Sequence, residues 1–157
     1  MKIIVAYDTK FGNTERVALT ITQTLREVHT AILRKVTDIS RSEVEESQLL
    51  VVGCPTHAWG ISAATREFFK VLRGGNYREK WGAAFDTRFS SPLAGSAAPE
   101  IRKQLKQLGF TVLAPSLSVC VKGFKGPLEE GELEKAVQFA RTLNAVIEAR
   151  ASPGEKK

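Results

Sequence analysis

A chain of 157 residues, 43% hydrophobic and 25% charged, is long enough to bury one self-sufficient core and is not the composition of a fibrous or disordered protein. Its net charge of +6 favours acidic partners, but the basic residues are scattered and not interleaved with aromatics, so no nucleic-acid site is expected. No apolar stretch approaches the ~20 residues that a membrane-spanning helix needs, so no membrane span is expected.

Lys2 to Tyr7 is an apolar run that predicts a buried strand. Asp8 interrupts it before any small-residue cleavage pattern, so no secretory signal is expected. Val17, Ala18, Ile21, Leu25 and Val28 then recur at helical spacing. Thr30 to Val36 predicts a second strand, and Ile39 to Ser47 a connection with a short helical turn. Leu49 to Cys54 is a strong strand signal that Pro55 is expected to end. Ser62 to Leu72 predicts a helix that packs through Phe68, Phe69 and Leu72 and stops at Gly74-Gly75.

Trp81 to Phe85 predicts the fourth strand, followed by a loop from Asp86 to Ser96. Ile101, Leu105 and Leu108 mark a helix that Gly109 ends, with Lys103 and Lys106 on a solvated face. Val112 to Val121 is a fifth strand region with a break at Pro115. Glu132 to Ala149 is the last helix, with acidic residues at its favourable end. Residues 152–157 are expected to be a flexible tail, leaving one domain over 1–151. Cys54 and Cys120 lack metal-ligand spacing and nearby His partners, so no metal is expected, and both read as reduced thiols of a cytoplasmic protein.

Strands alternating with helices imply an α/β fold: a doubly wound parallel sheet between two helical layers. In such sheets a ligand sits beyond the carboxyl ends of the strands. Three loops should share that edge. In the first, Thr9, Lys10, Phe11, Gly12, Asn13 and Thr14 offer hydroxyls, an amide and a permissive glycine at a helix head, which suits a phosphate. The pattern is neither a Walker A loop nor a dinucleotide fingerprint, and an ordinary capped turn is the plainer alternative. The second loop, Pro55, Thr56, His57, Ala58, Trp59 and Gly60, places a large aromatic beside a glycine, fit to stack on a flat ring or to fold back on the core. The third, Asp86, Thr87, Arg88 and Phe89, offers polar edges and an aromatic, unless Arg88 and Asp86 simply pair. Together the loops describe a site for a phosphorylated flat ring.

Over residues 1 to 150 the chain resembles the flavodoxins, in particular the short single-domain bacterial ones. Thr9 to Thr14 is similar to the family's phosphate loop, Gly53-Cys54-Pro55-Thr56-His57 to its first flavin-flanking loop, and Asp86 to Phe89 falls at the second. Gly126-Pro127-Leu128 ahead of Gly131-Glu132-Leu133 is similar to the family's lead-in to the last helix. The resemblance implies a five-stranded sheet of order 2-1-3-4-5 in an α/β/α sandwich, with FMN bound noncovalently. It implies an electron carrier that shuttles single electrons between redox partner proteins, a reductase and an acceptor. The alternative is an NAD(P)H:quinone or flavin reductase of the same fold. No catalytic nucleophile or base is implied.

The chain departs from the family pattern in three ways. His57 stands where many flavodoxins have a Trp, with Trp59 two residues on, so either ring is a candidate flank for the flavin. No stacking Tyr stands in the third loop, leaving Phe89 or an open face. The best-known flavodoxins are strongly acidic, whereas this chain is basic, which implies partners with acidic docking surfaces. Ala58 and Gly60 are small enough to let a second-loop peptide, His57-Ala58 for choice, turn its carbonyl toward flavin N5. A signalling receiver domain would need an acidic cluster where Asp8 stands alone. A small tyrosine phosphatase would need Arg where Gly60 stands. A relative that has lost its flavin is the remaining alternative.

Overall fold

The computed structural model describes residues 1–57, 60–91, 93–113 and 115–151; Ala58, Trp59 and the expected tail at 152–157 lie outside them. In chain order the elements are β1 (Lys2–Tyr7), α1 (Asn13–Leu25), β2 (Thr30–Lys35), a 3-10 turn (Val36–Asp38), α2 (Arg41–Glu45), β3 (Leu49–Pro55) and α3 (Ala63–Leu72). They continue with β4 (Trp81–Phe89), α4 (Ala98–Leu108), β5 (Thr111–Val112), β6 (Leu117–Val121) and α5 (Glu132–Ala151). Every strand pairing is parallel, and the sheet runs β2-β1-β3-β4. At its fifth position β5 pairs with the start of β4 and β6 with its end. The expected order 2-1-3-4-5 is therefore present, with the fifth strand split in two. Proline lacks a ladder donor, and Pro115 falls in the gap between the halves.

Strand side chains alternate between two buried layers, as period-2 geometry demands. Ile3, Val5, Leu49, Val51 and Phe85 pack on one face with Val17 and Ile21 of α1 and Phe139 and Leu143 of α5. Ile4, Leu50, Val52 and Cys54 pack on the other with Phe68 and Leu72 of α3 and Ile101 and Leu105 of α4. Near-continuous apolar runs in β1 and β3 follow from this burial on both sides. Val28 does not continue α1: the helix ends at Leu25, and Val28 is exposed in the turn beyond it.

One strand end differs from expectation. β3 ends at Pro55, its last residue, as expected, but β4 runs to Phe89 instead of stopping at Phe85. Asp86 weakens a strand signal by propensity. Tertiary contacts override it, since β6 pairs with residues 85–89 and β3 with residues 85–87. The loop after β4 accordingly begins at Ser90, and Asp86 to Phe89 are strand residues.

Gly53 of β3 lies opposite Phe85 of β4, and a Cβ built on Gly53 would overlap the Phe85 ring. Gly53→Ala is expected to destabilise the fold by ~1–3 kcal/mol through overpacking. Thermal melting should then drop by ~2–4 °C for each kcal/mol; an unchanged melting temperature would show that the ring yields freely.

Candidate functional site

The carboxyl ends of β1, β3 and β4 open on a cleft of ≈ 480 Å³, within the range of about 300–1,000 Å³ typical of small-ligand sites. Its first wall is the turn from β1 into α1. There Thr9 Oγ1 accepts the Gly12 N–H at 3.0 Å. Gly12 adopts φ +90, where a side chain is strained, and the space its Cβ would enter is open for 4 Å. Helices α2 and α3 are capped by the side chains of Ser40 and Ser62, but α1 carries no side-chain cap. The expected alternative, a turn capped by Asn13 or Thr14, is therefore absent; both residues lie inside the helix and line the cleft. The first-turn N–H groups of α1 have no acceptor within the helix and sit at the positive end of its dipole.

The turn is held by its neighbours. The Tyr7 hydroxyl donates to Glu15 Oε2 at 2.6 Å, tying the end of β1 to the first turn of α1. Burial, and then the Glu15 carboxylate, push the Tyr7 phenol up to about 12. The Thr14 and Thr87 hydroxyls share a buried hydrogen bond of 2.8 Å, joining α1 to β4. Asn13 Nδ2 donates to the Lys125 carbonyl at 3.2 Å, and its amide lies so close to Gly126 that a Cβ there would collide with it. Phe11 meets Phe124 edge-on at 5.3 Å between centroids, with the Lys10 ammonium 5.5 and 5.4 Å from the two rings. Part of the polar capacity expected to face a ligand, from Asn13 and Thr14, thus also fastens the cradle.

On the second wall, Pro55, Thr56 and His57 line the cleft. Thr56 Oγ1 accepts the Ala97 N–H at 3.1 Å, and His57 and Gly60 exchange two backbone hydrogen bonds of 2.8 Å that close the loop at its base. The flanking candidates Ala58 and Trp59, and with them the His57-Ala58 peptide, lie outside the described residues.

On the third wall, Thr87, Arg88 and Phe89 line the cleft and Asp86 does not. Asp86 is fully buried, where Oδ2 accepts the Ser96 hydroxyl and, at 3.0 Å, the Ala98 N–H at the start of α4. Arg88 instead donates to the carbonyls of Gly95 at 2.6 Å and Ser91 at 3.2 Å. The two residues do not pair with each other; each fastens the loop between β4 and α4 separately.

Sequence reasoning missed Leu93, Ala94, Val121 and Phe124, all of which line the cleft. Phe124 carries the signal used above for Trp59: a lone aromatic between glycines, in Gly123-Phe124-Lys125-Gly126.

Residues 5–138 match the family model for flavodoxin. Among curated proteins the chain is 28% identical to the rubredoxin-oxygen oxidoreductase of Megalodesulfovibrio gigas, over 94% of this chain and 37% of that one. The chain thus spans well under half the length of that relative. Among solved structures it is similar to a flavodoxin from the domain Archaea, with TM-score 0.81, 23% identity, and coverage of 94% of this chain and 99% of that one. It is also similar to oxidised Flavodoxin 1 of Bacillus cereus, with TM-score 0.78, 23% identity, and coverage of 90% and 95%. These two likenesses show a shared fold.

Burial, first in each case, pushes the chain's two tyrosines, Tyr7 and Tyr77, up to about 12 from 10.0. A phenol whose folded value is raised adds stability that is whole below pH 10.0 and lost as pH climbs toward about 12. An ultraviolet titration is therefore expected to show no phenolate near pH 10.0 in the folded protein. A full phenolate signal at that pH without unfolding would contradict the burial of Tyr7 and its contact with Glu15.

Proposed function

We propose that this chain, which belongs to the flavodoxin family, carries single electrons between redox partner proteins through one FMN held in the cleft at the carboxyl edge of its sheet. The carrying observation is the convergence of an uncapped α1 N-terminus, residues 55–57 and residues 87–89 on that single cleft. The donor chemistry fits the cofactor. Unpartnered first-turn N–H groups, the open space at Gly12 and the Lys10 ammonium suit a phosphate dianion. Thr9 to Thr14 hold the phosphate in this reading, and Thr56, His57, Thr87, Arg88 and Phe89 surround the ring system, with Ala58, Trp59 and Gly60 completing the second loop.

Bound FMN supplies reversible electron transfer, and the residues around it orient and shield it. Thr14 and Thr87 keep the phosphate loop in register with β4, while Tyr7 and Glu15 fix the width of the turn. No side chain is assigned as nucleophile or base. Among the described residues no helix is long and apolar enough to cross a membrane. Two free cysteines support a reducing, cytoplasmic setting.

Apoprotein mixed with FMN is expected to turn yellow and quench the flavin's fluorescence. Gly12→Ala should weaken FMN by about tenfold, from ~1–2 kcal/mol of left-handed strain, and leave riboflavin binding nearly unchanged. A protein that stays colourless in excess FMN overturns the reading. Lys10→Gln should make the midpoint potential of bound FMN more negative in a redox titration, because the reduced flavin loses a nearby cation. Quinone reduction by NADPH is expected to proceed no faster than with free FMN; sustained turnover would instead make the chain a reductase.

A further inference from the structure

Away from the carboxyl edge of the sheet, the outer side of α4 is basic. The inner positions of this helix, Ala98, Ile101 and Leu105, are buried against the sheet. Arg102, Lys103 and Lys106 follow at helical spacing and line a groove of ≈ 550 Å³ together with Pro99, Gln107 and Ser116. None of these residues lines the cleft at the strand ends. Ser116 comes from the gap between β5 and β6, so the split in the fifth strand supplies the far wall.

Charge in this groove is unbalanced. Half of its lining residues are cations and none is acidic. None of the three cations takes part in the ion pairs found among the described residues. From Ile101 to Leu128 the sequence holds no Asp or Glu. The carboxylates that flank the groove from outside that stretch are engaged elsewhere. Glu100, earlier on α4, accepts from Gln104 Nε2 at 3.5 Å. Asp86 is buried at the start of α4, where it takes Ser96 and Ala98. Glu79 belongs to the turn that passes beside Gly109, and it lines a separate cleft with Arg78 and Lys80.

Lys106 stands in the last turn of α4, where a cation offsets the helix dipole. That role does not extend to Arg102 and Lys103 in mid-helix, and like charges three and four residues apart repel. Arg102 is also held in place: it is half-buried, and its Nη1 donates to Ser116 Oγ at 3.2 Å. A guanidinium fixed in this way keeps further N–H groups for an incoming acceptor and loses little freedom in meeting it.

We propose that this groove binds the phosphate or pyrophosphate group of a small molecule. Arg102 engages two of its oxygens, Lys103 and Lys106 neutralise its charge, and Gln107 and Ser116 offer neutral donors. The volume lies in the range of about 300–1,000 Å³ typical of small-ligand sites. The proposal is independent of the FMN reading, since the two sites share no lining residue.

Titration of the isotopically labelled full chain with sodium pyrophosphate, followed by amide NMR at low salt, tests it. Saturable shifts are expected at residues 102–107 and 116. Lys103 and Lys106 are exposed, so Lys103→Gln with Lys106→Gln should leave the fold intact. It should weaken pyrophosphate about tenfold, the worth of one charged hydrogen bond. Arg102→Lys keeps the charge and removes the planar fork, and it should weaken binding as well. Absorbance of added FMN should be the same in both variants as in the parent chain.

Unchanged affinity in either variant overturns the proposal, and so do shifts that grow without saturating, which would be bare charge screening. Shifts confined to residues 9–14 would send the anion to the turn before α1 and overturn it too. Binding to phosphatidylglycerol vesicles with none to pyrophosphate would assign the stripe to a membrane surface, and the small-molecule site would fall.

Discussion

Parallel pairing throughout the sheet is the constraint from which the site follows. Because β1, β3, β4 and β6 all point the same way, the chain leaves each of them at one edge. The turn after β1, residues 55–57, residues 87–89 and the segment around Phe124 meet there although they are far apart in sequence. An antiparallel sheet of the same strands would scatter those loops over two edges. The helices in the crossovers cover both faces, and the cleft lies where strands end and chain direction changes.

Within that frame the cleft is held open by polar contacts, some buried and some partly so. The Thr14–Thr87 bond, the Tyr7–Glu15 bond and the Asp86 contacts to Ser96 and Ala98 each join an element to its neighbour's end. Each uses a polar group that a purely apolar core would exclude, and each is placed where a loop starts or stops. The arrangement separates two tasks. Helix α4 has its first turn served by Asp86, whereas the first turn of α1 carries no side-chain cap.

Much of this was legible in the sequence. Apolar runs such as Leu49 to Val52 give central strands their signature, and Gly109 ends its helix in the left-handed conformation as expected. The break in the fifth strand was also readable from Pro115. The extension of β4 was not, because Asp86 is a poor strand former and is held in the strand by its partners in β3, β6 and α4. Phe124 was overlooked for a related reason: nothing local links it to the first loop, and its contact with Phe11 exists only once the sheet is assembled. The sequence order of loops could be read; the brace between the first and the last of them could not.

That brace has a consequence for the newly made chain. Asn13 is synthesised early, yet its amide is clamped by the Lys125 carbonyl and packs on Gly126, more than a hundred residues later. A ribosome-bound fragment ending short of β6 would carry the first loop with its Thr9–Gly12 and Tyr7–Glu15 bonds but without this clamp. The cradle is therefore complete only once residues 125–126 have emerged and joined the far side of the sheet.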